Sequence, residues 1–454
     1  MSGRRRKISF GTIAMLLIAC VTVTVALGVM QTIRRDEGDL AMDAEKLLDS
    51  VTSLMEMSQR HINDDAVIVT SIEVSVTKAP QPQNEAPAQT PVGTENASVS
   101  SETPTPQQQE QRHSVTMTFG GTVSLQSAVM SGAYDKENKL YRYDELLSGI
   151  SSAVHADLNF VIFESLLTSG SISNKDLMTR PDAVQTLTKA GFDTAVLCHE
   201  NALAGGESIV HETLRTLSEN GVTAVGLYLP ENARRYNMLQ VNGMHIAVLS
   251  YTDSLSAASK RAVENSDTRN NMIHLFDPAA VQSDISSAKA QGAQAVLVFM
   301  HWGAKDATES TSAQRKTAQL LCDAGADLLI GYNSNQVQPV ELLSSATDPT
   351  HNMLTAWSMG TLLSEDRSSR AVVSGMLLHV QFTCDTQHTS INFDRIEYTP
   401  TYCWRQEERG IYPYRVVRSD QSVPEGMIQK QREILARSLV LIQTTMKKGI
   451  AVQR

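Results

Sequence analysis

Residues 325–341 read Gly-Ala-Asp-Leu-Leu-Ile-Gly-Tyr-Asn-Ser-Asn-Gln-Val-Gln-Pro-Val-Glu. A glycine suited to ending a helix precedes a short apolar run, and the run ends in a series of polar residues. This order is typical of a buried strand in an α/β protein, which follows a helix and places polar residues where the strand ends. Functional groups of α/β proteins gather at such strand ends, and here the polar residues include two asparagines.

The same alternation of apolar runs and helical patterns begins near residue 114 and predicts an α/β fold with central sheets covered by helices. The predicted buried strands are residues 115–119, 158–163, 194–197, 246–251, 295–300 and 328–330. The predicted helices are residues 181–190, 211–220, 278–291 and 312–324. We expect a C-terminal part at the edge of the same domain, with strands at 372–382 and 391–398 and an amphipathic helix at 427–446.

Composition excludes one class of partner. The chain has 454 residues, a formal net charge of -10 and 41% hydrophobic residues, which is enough to bury one large core. Nucleic-acid binding is not expected, because the sequence contains no basic stripe interleaved with aromatic residues. The dense basic run of the chain is confined to residues 4–7.

The basic run precedes residues 8–30, which carry no charge and are mostly apolar. About 20 such residues cross a bilayer as a helix, so we predict a signal anchor that makes a single pass through the cell membrane. The charge bias places residues 1–7 in the cytoplasm as a basic stub and the main domain outside. A cleaved signal peptide and a lipoprotein lipidated at Cys20 remain alternatives.

Three segments follow the predicted anchor. Residues 31–77 are predicted to form a juxtamembrane helix and a strand, and the helix carries apolar residues at heptad-like spacing between Leu40 and Leu54. That seam is compatible with a weak homodimer or with packing on the helix's own domain. Residues 78–112, rich in Pro, Gln, Ser and Thr, are predicted to be a disordered linker, and residues 113–454 the α/β domain. A disulfide between Cys384 and Cys403 is an open alternative.

The ends of the predicted strands carry six short motifs. They are Gly121-Thr122; Ala156-Asp157 followed by Ile162-Phe163-Glu164; Gly191-Phe192-Asp193 followed by Cys198-His199-Glu200-Asn201; His301-Trp302-Gly303-Ala304-Lys305; Gly331-Tyr332-Asn333-Ser334-Asn335 before Gln338-Pro339-Val340-Glu341; and Ser358-Met359-Gly360-Thr361-Leu362. This ordered succession resembles the CapA family of capsule and poly-γ-glutamate synthesis proteins. The resemblance implies a calcineurin-like metallophosphoesterase fold, a sandwich of central β-sheets flanked by helices.

The positions at which that family binds metal hold other residues here. The resemblance places a family carboxylate at Thr122, a histidine at Asn201, a glutamate at Lys305, and the last two histidines at Asn333 and Asn335. Amide and hydroxyl groups bind Zn or Mn far more weakly than imidazole and carboxylate groups, and an ammonium group repels a cation. We therefore expect a pseudoenzyme without a cofactor.

Some ionisable residues of the motifs remain. Glu164 and His301 are the candidates for catalytic roles, and together with His199 and Glu200 they are the candidate ligands of a single Zn or Mn ion. Without a metal, we expect Glu164 and His301 to hydrogen-bond each other or nearby backbone. The predicted binding cleft comprises Thr122, Glu164, His199, Glu200, Asn201, His301, Lys305, Asn333 and Asn335.

Two functional hypotheses follow. The first is a membrane-anchored, extracytoplasmic CapA-like protein that acts without catalysis in the synthesis of capsule, poly-γ-glutamate or another cell-envelope polymer. Its expected partners are the membrane, a cell-surface polymer and envelope-synthesis proteins. The second is a metal-dependent hydrolase or amide-processing enzyme with a reduced site built from Glu164, His199, Glu200 and His301.

Overall fold

Two β-sheets enclose a common apolar core in the computed structural model, which describes residues 112–385, 390–407 and 412–449. The predicted α/β class is confirmed. Predictions that fall on residues 1–111, namely the cytoplasmic stub, the anchor at 8–30, the juxtamembrane segment and nearly all of the linker, lie outside the described residues. Within the described part, no helix is long and apolar enough to cross a membrane.

The first sheet has eight strands. They are β1 (Arg112–Val123), β4 (Leu158–Phe163), β7 (Thr194–Val196), β8 (Thr223–Val225), β15 (Thr361–Leu363), β16 (Ser374–Asp385), β17 (Ser390–Arg405) and β18 (Tyr414–Arg418). Their order is β18-β17-β16-β1-β4-β7-β8, and β15 pairs with the end of β1. Strands β1, β4, β7 and β8 run parallel to one another. Strand β16 pairs antiparallel with β1, and β17 and β18 continue in antiparallel pairs.

The second sheet has six strands, in the order β13-β14-β12-β11-β10-β9. They are β9 (Asn237–Val241), β10 (Met244–Thr252), β11 (Ala295–His301), β12 (Leu328–Tyr332), β13 (Val340–Ser344) and β14 (Asn352–Ala356). The four inner strands are parallel. Two short pairs lie outside the large sheets: β2 (Tyr134–Asp135) with β3 (Leu140–Tyr141), and β5 (Leu166–Leu167) with β6 (Met178–Thr179).

Helices connect the strands. They are α1 (Ser127–Ala133), α2 (Tyr143–Leu146), α3 (Gln185–Ala190), α4 (Gly206–Glu219), α5 (Ala257–Ala262), α6 (Ser266–Met272), α7 (Pro278–Ala290), α8 (Ser312–Asp323) and α9 (Gln429–Met446). Local chemistry fixes several of their ends. Asp277 caps α7 by accepting from the backbone N–H of Ala280 at 2.8 Å, and Gly325, with a left-handed φ of 92°, follows α8.

Successive side chains of a strand point to opposite faces of its sheet, so each inner strand contributes to two apolar cores. In β11, Leu297 and Phe299 lie in the core between the sheets, whereas Val296 and Val298 pack in the core that includes α7 and α8. Such a strand is buried on both faces, which accounts for its continuous apolar sequence. The rings of Phe119 and Phe299 meet edge to face at 6.1 Å in the central core.

The C-terminal strands form one end of the first sheet, where β18 is the edge strand. Val115 of β1 pairs with Phe382 of β16, so β16 joins this end to the parallel strands. Helix α9 adds Ile442 and Met446 to the core between the sheets. The C-terminal part therefore completes both the sheet and the core.

The alternative of a disulfide between Cys384 and Cys403 does not hold in the structure. Ser374, at the start of β16, pairs with Tyr402, whereas Cys384 lies ten residues further along the same strand. At about 3.3 Å per residue, the two cysteines are about 30 Å apart. A disulfide spans at most about 7 Å between Cα atoms.

Candidate functional site

The carboxyl ends of the parallel strands of both sheets carry the residues of the predicted cleft. Glu164 directly follows β4, His199 follows β7, and His301 ends β11. Tyr332, at the end of β12, donates a hydrogen bond from its hydroxyl to the backbone carbonyl of Cys198. Burial raises the pKa of the Tyr332 phenol well above its usual value, so the hydroxyl stays protonated and joins the second sheet to the first beneath the cleft.

Glu164 is partly buried and is held from two sides. Its backbone N–H donates to the carbonyl of Val123 at 3.1 Å, and the hydroxyl of Ser124 donates to Oε2 at 3.4 Å. Burial raises the pKa of this carboxyl to about 7, although Lys305 and Ser124 act in the opposite direction. Near neutral pH the carboxyl is therefore present in both protonation states.

His301 has a fixed tautomer. Its Nδ1 lies 3.0 Å from the hydroxyl oxygen of Thr252, and that hydroxyl donates its one proton to the carbonyl of Ser254 at 2.9 Å. Thr252 must therefore accept from Nδ1–H of His301, which leaves Nε2 without a proton. Burial, with a contribution from Lys305, lowers the pKa of His301 to about 4, so the ring is neutral at physiological pH.

His199 lies close enough to His301 for the two rings to affect each other. Burial, together with the charge that His301 would carry, lowers the pKa of His199 to about 3. Two neighbouring imidazoles do not readily both become protonated, because their positive charges would repel each other. The described part of the cleft thus holds two neutral imidazoles side by side.

Lys305 supplies the positive charge of the cleft. Its Nζ lies 3.8 Å from Oε1 of Glu200, and its side chain is 64% exposed. The same ammonium lowers the pKa of both Glu164 and His301, which places it within electrostatic reach of each. Because the Lys305–Glu200 pair is solvated, its contribution to stability is small, about 1 kcal/mol or less.

Asn333 and Asn335 follow β12 in left-handed backbone conformations, with φ of 108° and 61°. Asparagine tolerates this region better than most residues. The Nδ2 of Asn333 donates to the carbonyl of Gly303 at 2.7 Å, and the carbonyl of Asn335 accepts from the hydroxyl of Thr361 at 3.3 Å. The Asn333 amide therefore braces the turn that leads to Lys305.

The remaining predicted residues, Thr122 and Asn201, line the strand ends through their backbone. Thr122 is buried, pairs with Ile162 and donates its N–H to the carbonyl of Gly360 at 3.0 Å. The carbonyl of Asn201 accepts from the N–H of Ala204 at 3.0 Å. Both positions belong to the ends of parallel strands of the first sheet, next to Glu164 and His199.

Glu164 and His301 were expected to hydrogen-bond each other or nearby backbone, and the structure adds hydroxyl partners to both. Each side chain is held by a hydroxyl, Ser124 for Glu164 and Thr252 for His301. Sequence reasoning did not identify Ser124, Thr252 or Tyr332 as site residues. The signal for Tyr332 was available, since it stands between the predicted strand and the two asparagines.

Comparison with known proteins assigns the chain to a family. The sequence model of the bacterial capsule synthesis protein family PGA_cap matches residues 116–366, more than half of the chain. The chain belongs to this family. The matched residues include every predicted cleft residue, and the resemblance to capsule synthesis proteins is confirmed.

Two curated relatives give the same result. The chain is 27% identical over 168 residues to the PGA biosynthesis protein CapA of Bacillus subtilis, covering 37% of this chain and 43% of that protein. It is 25% identical over 175 residues to the capsule biosynthesis protein CapA of Bacillus anthracis, covering 37% and 41%. The chain therefore matches less than half the length of these PGA_cap relatives.

Among solved structures, the calcineurin-like phosphoesterase YfkN of Bacillus subtilis is similar at a TM-score of 0.35 and 9% identity. The match covers 73% of this chain and all of that chain, 100%. A TM-score at this level supports no conclusion about function beyond membership of the family. The chemistry of the site is therefore argued from the residues of this chain.

The residues of this PGA_cap cleft do not fit the two-metal centre that the resemblance implies. Such a centre needs several carboxylates and imidazoles that converge on the ions and activate a water. In the part of the chain that the structure describes, no group of three or more His, Cys, Asp or Glu side chains is arranged to hold a metal ion. Thr122, Asn201, Asn333 and Asn335 offer neutral groups, and Lys305 adds a positive charge.

Proposed function

We propose that the protein is a membrane-anchored, extracytoplasmic accessory protein in the synthesis of capsule, poly-γ-glutamate or another cell-envelope polymer. Its cleft binds a ligand and does not carry out metal-dependent catalysis. Membership of the PGA_cap family and the printed names of the two Bacillus relatives support the link to envelope polymers. The uncharged stretch at residues 8–30 supports the membrane anchor.

One observation carries the binding role. Lys305 places a cation beside Glu200 and within the field of Glu164 and His301, where a phosphoesterase would gather ligands around metal ions. An ammonium group attracts anions but does not lower the pKa of a bound water as Zn does. The cleft is therefore suited to hold an anionic group, such as a carboxylate of a polymer, without activating water for attack.

The experiment measures metal content and polymer binding on the purified full chain. After incubation with Mn, Zn, Fe and Mg, elemental analysis of the wild type and His301→Ala is combined with an ester and amide hydrolysis screen. Binding of poly-γ-glutamate is compared for the wild type, Lys305→Ala and the matched control Lys316→Ala, whose lysine is exposed on α8. We expect no stoichiometric metal, no turnover, and polymer binding that weakens in Lys305→Ala but not in Lys316→Ala.

The second candidate function is a hydrolase or amide-processing enzyme that uses Glu164, His199, Glu200 and His301. The observation favouring it is the raised pKa of Glu164, about 7, since a group with a pKa near neutral is suited to proton transfer. Near-stoichiometric metal, lost together with hydrolysis in His301→Ala, would establish the metal-dependent form of this alternative and reject the binding role.

Membrane attachment has its own test. When cells expressing the full chain are fractionated, we expect the protein in the membrane fraction, with its α/β domain accessible to protease added to the outside of spheroplasts. Recovery in the soluble fraction, or protection from the added protease, contradicts the proposed localisation. Association with other envelope-synthesis proteins is examined in the same membranes by cross-linking.

A further inference from the structure

A second cavity lies at the opposite end of the first sheet from the cleft. It has a volume of about 350 Å³, within the range of small-molecule sites. Strand β1 contributes Thr116 and Thr118 to its wall, and Thr122 at the cleft is four residues beyond Thr118, which corresponds to about 13 Å along the strand. We call this cavity the basal pocket.

The basal pocket interrupts the apolar outer face of the sheet. Leu377 of β16 belongs to the core beneath the helices, and the next residues on the same face, His379 and Gln381, line the pocket instead. Their partners across β17 are Glu397 and Arg395. Polar side chains thus replace the apolar ones in the interior rows of a sheet, where burial of a polar group is costly unless it is satisfied.

His379 forms the floor of the basal pocket. The ring is half-buried between two hydroxyls, with Nδ1 3.1 Å from Thr118 Oγ1 and Nε2 2.9 Å from Thr399 Oγ1. Burial, together with the charges of the neighbouring His155, Arg418 and Arg395, lowers the pKa of His379 to about 4. Two acidic residues, Glu397 and Asp420, also line the pocket, and each is paired with an arginine.

The arginines of the walls are held in place by carboxylates. Asp420, whose side chain is 4% exposed, accepts from Nε of Arg418 at 3.0 Å and from Nη2 at 2.8 Å. Nη2 of Arg395 lies 2.8 Å from Oε1 of Glu397. A guanidinium has five N–H donors, so Arg418 keeps three beyond its pair with Asp420.

Both oxygens of Asp420 already accept hydrogen bonds from Arg418. Oriented guanidinium groups match the paired oxygens of carboxylates and phosphates. We propose that the basal pocket is a binding site for a small oxyanion, a carboxylate or phosphate group, held by Arg418 and Arg395 above His379. This site is separate from the cleft and does not depend on the function proposed for it.

The test uses isothermal titration of the full chain with inorganic phosphate and, separately, with glutamate, at ionic strength fixed with sodium chloride. The two probes distinguish a phosphate site from a carboxylate site. We expect saturable one-to-one binding of at least one probe, weakened about ten- to a hundred-fold in Arg418→Gln through loss of charge-assisted hydrogen bonds.

Arg418→Gln also breaks the pair with Asp420 and could unfold the protein, so a second variant tests the binding site without breaking that pair. Gln381→Glu places a carboxylate of nearly the same shape on the pocket wall and is expected to weaken binding about ten-fold or more by charge repulsion. Arg215→Gln, which breaks an exposed pair with Glu219 on α4, and Lys305→Ala in the cleft should leave the affinity unchanged.

Circular dichroism and thermal unfolding verify that each variant is folded. The proposal is overturned if neither probe binds saturably below about 10 mM, an affinity of only about 3 kcal/mol. It is also overturned if folded Gln381→Glu binds as tightly as the wild type, or if Lys305→Ala abolishes the binding.

Discussion

Replacement of Glu164 by glutamine should make the protein more stable at alkaline pH. The folded state raises the pKa of this carboxyl from 4.5 to about 7, chiefly because the group is buried. Below pH 4.5 both the folded and the unfolded chain hold the proton, and the group contributes nothing to the pH dependence. Between pH 4.5 and 7 the unfolded chain loses its proton first, so the free energy of unfolding falls as pH rises.

The size of the effect follows from the two pKa values. The gap between 4.5 and about 7 corresponds to a penalty of about 3 kcal/mol above pH 7. Because Glu164 is partly exposed to the cleft, solvent reduces this upper limit, and we expect about 1–2 kcal/mol. Glutamine resembles the protonated acid and carries no charge, so Glu164→Gln should remove the penalty.

Urea unfolding of the full chain at pH 5, 6, 7 and 8 measures this effect. Glu164→Gln and the wild type should be nearly equally stable at pH 5, and the variant should be more stable by about 1–2 kcal/mol at pH 8. Glu231→Gln, at an exposed position, serves as the control and should show no such trend. If the difference between Glu164→Gln and the wild type is the same at pH 5 and pH 8, the reasoning about the buried carboxyl is refuted.

Three further predictions concern the same cleft. Thr252→Val removes the acceptor at Nδ1 of His301, so nitrogen NMR should show Nε2 unprotonated in the wild type and a mixture of tautomers in the variant; a bare Nε2 in both would contradict the assignment. Tyr332→Phe leaves a buried carbonyl without its donor and should lower the free energy of unfolding by about 1–3 kcal/mol, measured by urea titration; no change would show that the bond between the sheets contributes little. Lys305→Ala removes a positive charge and should raise the pKa of both Glu164 and His301 in NMR titrations, whereas unchanged values would place the ammonium away from the cleft.

Local patterns predicted most elements of the fold but not all of their neighbours. The strand at residues 158–163 and the helix beginning at residue 278 were identified because their apolar spacing and their caps are contained in a short stretch. The pairing of β16 with β1 was not predicted. The partner of β16 in the sheet lies more than 250 residues earlier in the chain, and no local pattern records which distant strand will pair with it.

In the candidate site, too, local features were predicted and contacts between distant residues were not. The end of β4 was predicted from sequence, because a buried run is followed by polar residues, whereas β11 and β12 extend one and two residues beyond their predicted ends, to His301 and Tyr332. The hydroxyl partners Ser124 and Thr252 were not predicted, since serine and threonine are common and their hydrogen bonds depend on how two strand ends meet. Asn333 was interpreted as a cleft residue at the position of a replaced metal ligand, although its positive φ gives asparagine a backbone reason for this position.

The pairing of β1 with β16 also affects how the chain matures. Val115 meets Phe382 only after the ribosome has added the intervening residues, so β1 leaves the exit tunnel long before its antiparallel neighbour exists. Folding dominated by such distant contacts is slow, and the nascent domain must be kept from associating with other chains in the meantime. A product of premature termination before Ser374 would lack β16 altogether and expose an open strand edge, a recognised starting point for aggregation. Quality control of this protein is therefore expected to depend on its last 80 or so residues.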